Sequence, residues 1–172
     1  MGLVFLEGIF PKLSALLVFL LASFTDYWDG TLARQRNQIT NFGKLLDPVA
    51  DKILTLSAFM AFVQMRIIPA WMVVLIMTRD LLITGVRLLA PRGAETPVPS
   101  RSGKHKTVLQ FSAITGVLVF LVIEAAPFWK PEWSTAAGRF IYAAMIFVVG
   151  VTLWSGATYL YKNKNLISQS FR

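Results

Sequence analysis

The chain has 172 residues, 55% of them hydrophobic and 15% charged, with a formal net charge of +8 and a mean hydropathy of +0.59. The apolar residues arrive in long blocks punctuated by charge, which excludes an ordinary soluble domain and is the pattern of a polytopic membrane protein. With no cysteine and one histidine, His105, disulfides, thiolate metal sites and imidazole zinc sites are excluded as well.

The first residues, MGLVFLEGIF, carry no recognisable cleavable signal. Glu7 and Pro11 interrupt the apolar run, and no basic region precedes it. Leu6 stands where a myristoylation signal needs Ser or Thr, which argues against lipidation.

Five spanning helices are predicted. The first covers 11–34, with Pro11 suited to a helix start. The others cover 42–66, 69–90, 104–125 and 138–161. At about 1.5 Å per residue each reaches roughly 30 Å or more, enough to cross the hydrocarbon. The expected fold class is therefore an all-α, polytopic membrane helical bundle forming a single domain over 1–172, without internal repeats. Residues 91–103, PRGAETPVPSRSG, read as an irregular cytoplasmic loop. Trp129 and Trp133 suit a membrane–water interface in the connection before the fifth helix.

Orientation follows from the basic residues. Eleven of the Lys and Arg residues fall on the side of Arg34, Lys44 and Lys162. Four (Lys12, Arg66, Lys130, Arg139) fall on the other, and Lys52 and Arg79 lie within or near helix ends. The positive-inside rule then predicts a multi-pass protein of the cell (inner) membrane, with the richer side in the cytoplasm and Met1 outside. Basic residues spread over such loops fit anionic headgroups or an anionic substrate, and argue against a nucleic acid partner.

Asp26, Asp29, Asp47 and Asp51 are four of only nine acidic residues. Asp26 and Asp29 are three apart, Asp47 and Asp51 four apart, so each pair shares a helix face. The short polar connection between the helices makes them antiparallel neighbours and places both pairs at one membrane level. Four carboxylates so close need cations between them or bound protons. Carboxylate oxygens favour hard ions such as Mg²⁺ or Mn²⁺, and two such ions clamping a diphosphate would neutralise site and substrate together. Gly30 and Ala33 edge the stripe with minimal side chains where a ligand approaches the backbone. Arg34 closes it with a fixed positive charge suited to phosphate.

The order D-x-x-D-G-x-x-A-R, eight residues, then G-x-x-x-D-x-x-x-D resembles the signature of the CDP-alcohol phosphotransferases. Its positions here are Asp26, Asp29, Gly30, Ala33, Arg34, Gly43, Asp47 and Asp51. The resemblance implies that the first three aspartates hold two divalent ions around a CDP-lipid diphosphate, with Asp51 as the general base. Asp51 also belongs to the expected metal-binding set. The segments DPVADK, RDLLITGVR, GKHKT and WSGATYLYK look like the phosphatidylglycerophosphate synthase branch. That implies CDP-diacylglycerol as donor, sn-glycerol 3-phosphate as acceptor, and a homodimer. Members of the family usually begin with an amphipathic cytoplasmic helix and one more spanning helix. Neither is recognisable here, so a shortened N-terminus or a misassigned start is expected.

Arg79 lies ten residues into the third predicted helix, a depth at which a guanidinium requires a polar cavity or a partner. Arg87 follows eight residues later, and Lys104 and Lys106 open the fourth helix from the same side. Together they offer cations to the phosphate of an acceptor. Asp80 is expected to pair with a neighbouring cation and to orient it. For Arg79 and Asp80 the alternative is a purely structural pair, and for Arg87, Lys104 and Lys106 it is plain membrane anchoring.

Inositol phosphate, serine or phosphatidylglycerol are the other acceptors within the family. Outside it, the carboxylates fit a cation or proton transporter, and the missing N-terminal segment fits a non-catalytic remnant.

Overall fold

The computed structural model describes residues 1–35, 41–89 and 101–164, with side chains for 1–25, 28, 52–86 and 108–164. A 3₁₀ turn over Gly2–Phe5 buries Val4 and leads into Gly8, whose φ of +104° only glycine adopts without strain. Helix α1, Ile9–Gln35, follows, with Pro11 in its first turn, where the missing N–H leaves nothing unsatisfied. Helix α2 spans Asn41–Gln64, α3 Ala70–Leu89, α4 Arg101–Glu124 and α5 Pro131–Lys162. The described residues are thus all-α, as the sequence predicts.

The α2–α3 turn has a definite local cause. Arg66 takes φ +59°, and its N–H donates to the carbonyl of Val63 at 2.9 Å while that of Ile67 donates to Phe62 at 3.0 Å. These two bonds form a Schellman cap, with arginine in the position that glycine usually fills.

Two boundaries differ from expectation. Helix α5 starts at Pro131 rather than near Gly138. The segment STAAGR reads as a loop by its small and polar residues, yet its alanines favour helix. Pro131 and Glu132 also supply a first turn complementary to the helix dipole. Trp129 donates to Ser134 at 2.9 Å, and Ser134 donates to Glu124 at 3.2 Å, tying the new first turns to the end of α4. Helix α4 starts at Arg101, inside the predicted 91–103 loop. Residues 90–100 lie outside the described residues.

Among the described residues, α5 is the one helix long and apolar enough by itself to cross a membrane, with mean hydropathy 1.9 over its span window. Within the described residues α1, α2 and α4 contribute the apolar stretches Ile9–Thr25, Lys52–Gln64 and Val108–Glu124. All five predicted helices are present.

The surface and interior divide as a hydrocarbon solvent requires. Leu17, Phe24, Leu81, Phe147 and Trp154 are exposed, whereas Thr55, Asp80, Gln110, Thr152 and Ser155 are buried. Hydroxyls near the outside stay bonded to their own helices. Ser14, Ser23, Thr25, Ser57 and Thr158 each donate to the carbonyl four residues back, at 2.7–2.9 Å.

Packing pairs α1–α2, α2–α3, α3–α5, α5–α4 and α4–α1 close a ring, with α2–α4 crossing it. Phe19, Phe59, Phe62, Met72, Ile76, Ile114 and Met145 fill its centre.

Candidate active site

The four aspartates occupy the joined ends of two packed helices. Asp26 and Asp29 lie nine and six residues before the end of α1 at Gln35, about 14 and 9 Å along the axis. Asp47 and Asp51 lie six and ten residues after Asn41, about 9 and 15 Å into α2. The turn at Arg66 brings α3 back, so its Leu89 end shares that end of the bundle. Arg79 is then about 15 Å in by the same count, Ser155 about 10 Å from the end of α5, and Gln110 about 14 Å from the start of α4. By this count the backbone positions of the aspartates and of the buried polar residues all lie about 9–15 Å from helix ends.

Register ties the two halves together. Ala15 and Phe19 are buried on α1, and position 26 follows Phe19 by two turns. Thr55, buried on α2, follows position 51 by one turn. Positions 26 and 51 are thus in helical register with buried residues of their own helices.

Arg79 is held from several directions. Its Nη1 lies 3.2 Å from Oδ1 of Asp80, with the two side chains only 12% and 6% exposed. Its Nη2 donates to Oγ of Ser155 at 3.0 Å. The other carboxylate oxygen of Asp80 accepts from Nε2 of Gln110 at 3.4 Å. Three helices, α3, α4 and α5, so meet at the Arg79–Asp80 pair. A buried charge of this kind requires such pairing. The sequence expectation that Asp80 pairs with a neighbouring cation is met by this contact.

Helix α5 faces the centre with one stripe, Thr152, Ser155, Gly156 and Tyr159, all buried. The Thr152 hydroxyl and the Tyr159 phenol have no hydrogen-bond partner among the described residues.

Of the residues to which the sequence reading gives a metal, substrate or catalytic role, Arg79 is the one with a described side chain. Asp26, Asp29, Gly30, Ala33 and Arg34 lie on α1, Gly43, Asp47 and Asp51 on α2, Arg87 on α3, and Lys104, His105 and Lys106 on α4. Their side chains lie outside the described residues. Among the described residues no group of three or more acidic, histidine or cysteine side chains is arranged to hold a metal. The donor chemistry of four aspartates, spaced three and four apart on two packed helices, fits hard divalent ions.

Gln110, Ser155 and Gly156 were not foreseen as site residues. Gln110 could have been found, because an amide in the apolar run of VLQFSAI is a costly group at membrane depth. Ser155 and Gly156 gave no such signal, since small residues are common wherever membrane helices pack closely.

Comparison with known proteins fits this arrangement. The family model described as CDP-alcohol phosphatidyltransferase matches residues 3–154. The CDP-diacylglycerol–glycerol-3-phosphate 3-phosphatidyltransferase of Bacillus subtilis (strain 168) is 36% identical over 158 residues, covering 92% of this chain and 77% of that protein. The protein of the same name from Escherichia coli (strain K12) is 37% identical over 155 residues, covering 86% of this chain and 76% of that one. That of Salmonella typhimurium (strain LT2) is 37% identical over 158 residues, covering 87% and 78%. The chain belongs to the CDP-alcohol phosphatidyltransferase family.

Proposed function

We propose that the protein transfers the phosphatidyl group of CDP-diacylglycerol to sn-glycerol 3-phosphate, giving phosphatidylglycerol phosphate and CMP in phospholipid biosynthesis. The names and coverage of the relatives support the reaction. The observation that carries the acceptor is Arg79, a largely buried cation inside the bundle, held by both Asp80 and Ser155. A phosphorylated alcohol needs such a charge beside a carboxylate site, and serine would gain little from it.

Asp26, Asp29, Asp47 and Asp51 would hold two Mg²⁺ or Mn²⁺ ions. When bound, these supply charge neutralisation to the diphosphate and to the departing CMP. Gly30 and Ala33 leave room for the CDP-lipid against α1, and Arg34 binds its phosphates. Arg79 and Arg87, with Lys104 and Lys106, take the acceptor phosphate. Asp51 accepts the proton of the acceptor's primary hydroxyl, and that oxygen attacks the phosphorus bearing diacylglycerol. The new O–P bond forms as the bond to CMP breaks, and CMP leaves with the electron pair. Positioning and electrostatics supply the acceleration.

The reading places the protein in the cell membrane with this end of the bundle toward the cytoplasm, where CMP and glycerol 3-phosphate are soluble. It also takes the working unit to be a homodimer, by family resemblance.

The test is CMP release from CDP-diacylglycerol by the purified protein with glycerol 3-phosphate, inositol phosphate, serine and phosphatidylglycerol, with mass spectrometry of the lipid product. Phosphatidylglycerol phosphate from the first acceptor alone is expected. A different preferred acceptor would move the protein within its family. No CMP with any of them would overturn the enzyme reading, since neither a transporter nor a remnant makes it.

A further inference from the structure

We propose that Ser155 and Gly156 on α5 and Gln110 on α4 are positioning residues that fix the Arg79 guanidinium, and thereby set the preference for a phosphorylated acceptor. The inference rests on the acceptor reading above and extends it to residues that touch neither substrate.

Gly156 is the clearest element. A Cβ built there would stand 2.8 Å from Cγ of Arg79, 3.2 Å from Nε and 3.5 Å from Cδ. The stem of Arg79 lies in the volume a side chain would fill, and its middle, not a flexible tip, makes the closest approach. Gly85, Gly116, Gly138 and Gly150 are also helical, yet a Cβ at any of them would meet nothing within 4 Å. A glycine inside a helix costs stability relative to alanine, so a close approach is the reason for one at 156.

The guanidinium head is fixed as its stem is. Ser155 accepts from Nη2 at 3.0 Å and Asp80 meets Nη1 at 3.2 Å. Gln110, at 3.4 Å from the second oxygen of Asp80, limits how that carboxylate can turn. An arginine held this way keeps its planar fork aimed in one direction, which suits the fixed geometry of a phosphate. An acceptor without phosphate gains nothing from the arrangement. Loosening it should therefore weaken discrimination before it weakens transfer.

The test uses the full chain in lipid–detergent micelles, with Ser155→Ala, Gly156→Ala and Ser155→Thr. Initial rates of CMP release are measured against glycerol 3-phosphate, glycerol and CDP-diacylglycerol. For the two alanine variants the KM for glycerol 3-phosphate should rise about 10-fold, the scale of one charge-assisted hydrogen bond. The KM for CDP-diacylglycerol and kcat at saturating acceptor should stay near wild type. The preference for glycerol 3-phosphate over glycerol should fall by the same factor, and Ser155→Thr, which keeps the hydroxyl, should restore it. Thermal unfolding of each variant identifies any that fails to fold, and Ser155→Ala carries the test if Gly156→Ala does.

An unchanged acceptor KM in folded variants would overturn the inference, as would a parallel loss against both substrates. A wild type that turns over CDP-diacylglycerol with another acceptor but ignores glycerol 3-phosphate overturns the acceptor reading, and this inference with it.

Discussion

Asp80 and Gln110 meet across two helices, with Nε2 of the amide 3.4 Å from Oδ2 of the carboxylate and both side chains buried. The other oxygen of Asp80 faces Arg79 at 3.2 Å. Removing one partner of a buried ion pair leaves a charge without compensation, at a cost of about 3–5 kcal/mol. Asp80→Ala should accordingly lower the unfolding midpoint sharply in detergent. Gln110→Leu leaves the ion pair and should cost less, about 1–3 kcal/mol for the weakened acceptor. If the two variants unfold alike, the carboxylate is not the centre of this network.

Asp51→Asn keeps the size of the side chain and removes its basicity. Turnover should drop by at least about 100-fold, the contribution of a positioned general base, while the variant still folds. Near-normal CMP release from Asp51→Asn would assign the proton to another group.

Chelation probes the aspartates as a set. EDTA should abolish CMP release, and Mg²⁺ or Mn²⁺ should restore it in full. Activity that survives thorough chelation would leave the four carboxylates without their proposed occupants.

Arg66 caps α2 in a left-handed conformation, φ +59°, that glycine adopts without penalty. Arg66→Gly should raise stability by about 0.5–1 kcal/mol, read as a higher unfolding midpoint at unchanged activity. Arg66→Val, β-branched in the same place, should lower it.

The hydroxyls of Thr152 and Tyr159 are buried without hydrogen-bond partners among the described residues. Thr152→Val and Tyr159→Phe remove an unsatisfied group at nearly constant volume. Each should leave stability unchanged or raise it by up to about 1–3 kcal/mol. A clear fall in the unfolding midpoint would mean that these hydroxyls have structural partners after all.

The sequence made the five helices and their order legible, because apolar blocks of bilayer length admit few other readings. That the four aspartates fall near the joined ends of α1 and α2 was legible as well, because spacings of three and four are geometry in one dimension. The depth of Arg79 similarly announced that it would be partnered.

The choice of partner was not legible. Leu81 and Leu82 are exposed while Ile83 beside them is buried, and no difference in polarity separates them. Where both lipid and interior are apolar, the pattern of hydrophobic residues does not reveal which face packs, so the ring order of the helices stayed hidden. Ser155 and Gly156 stayed hidden for the same reason, since their meaning lies in Arg79, on another helix. The start of α5 was missed because residues 134–139 look like a linker until Trp129 and Glu124 are seen to grip Ser134.

Helix α5 follows the other four in the chain, yet it packs on both α3 and α4 and supplies Ser155 beside Arg79. During biosynthesis α3 must therefore enter the bilayer before that support exists. Its arginine and aspartate, adjacent in sequence and mutually neutralising, let it wait there as a nearly uncharged segment. Assembly of the network around Arg79 should thus be a late event, completed when α5 arrives and takes its place against α3 and α4.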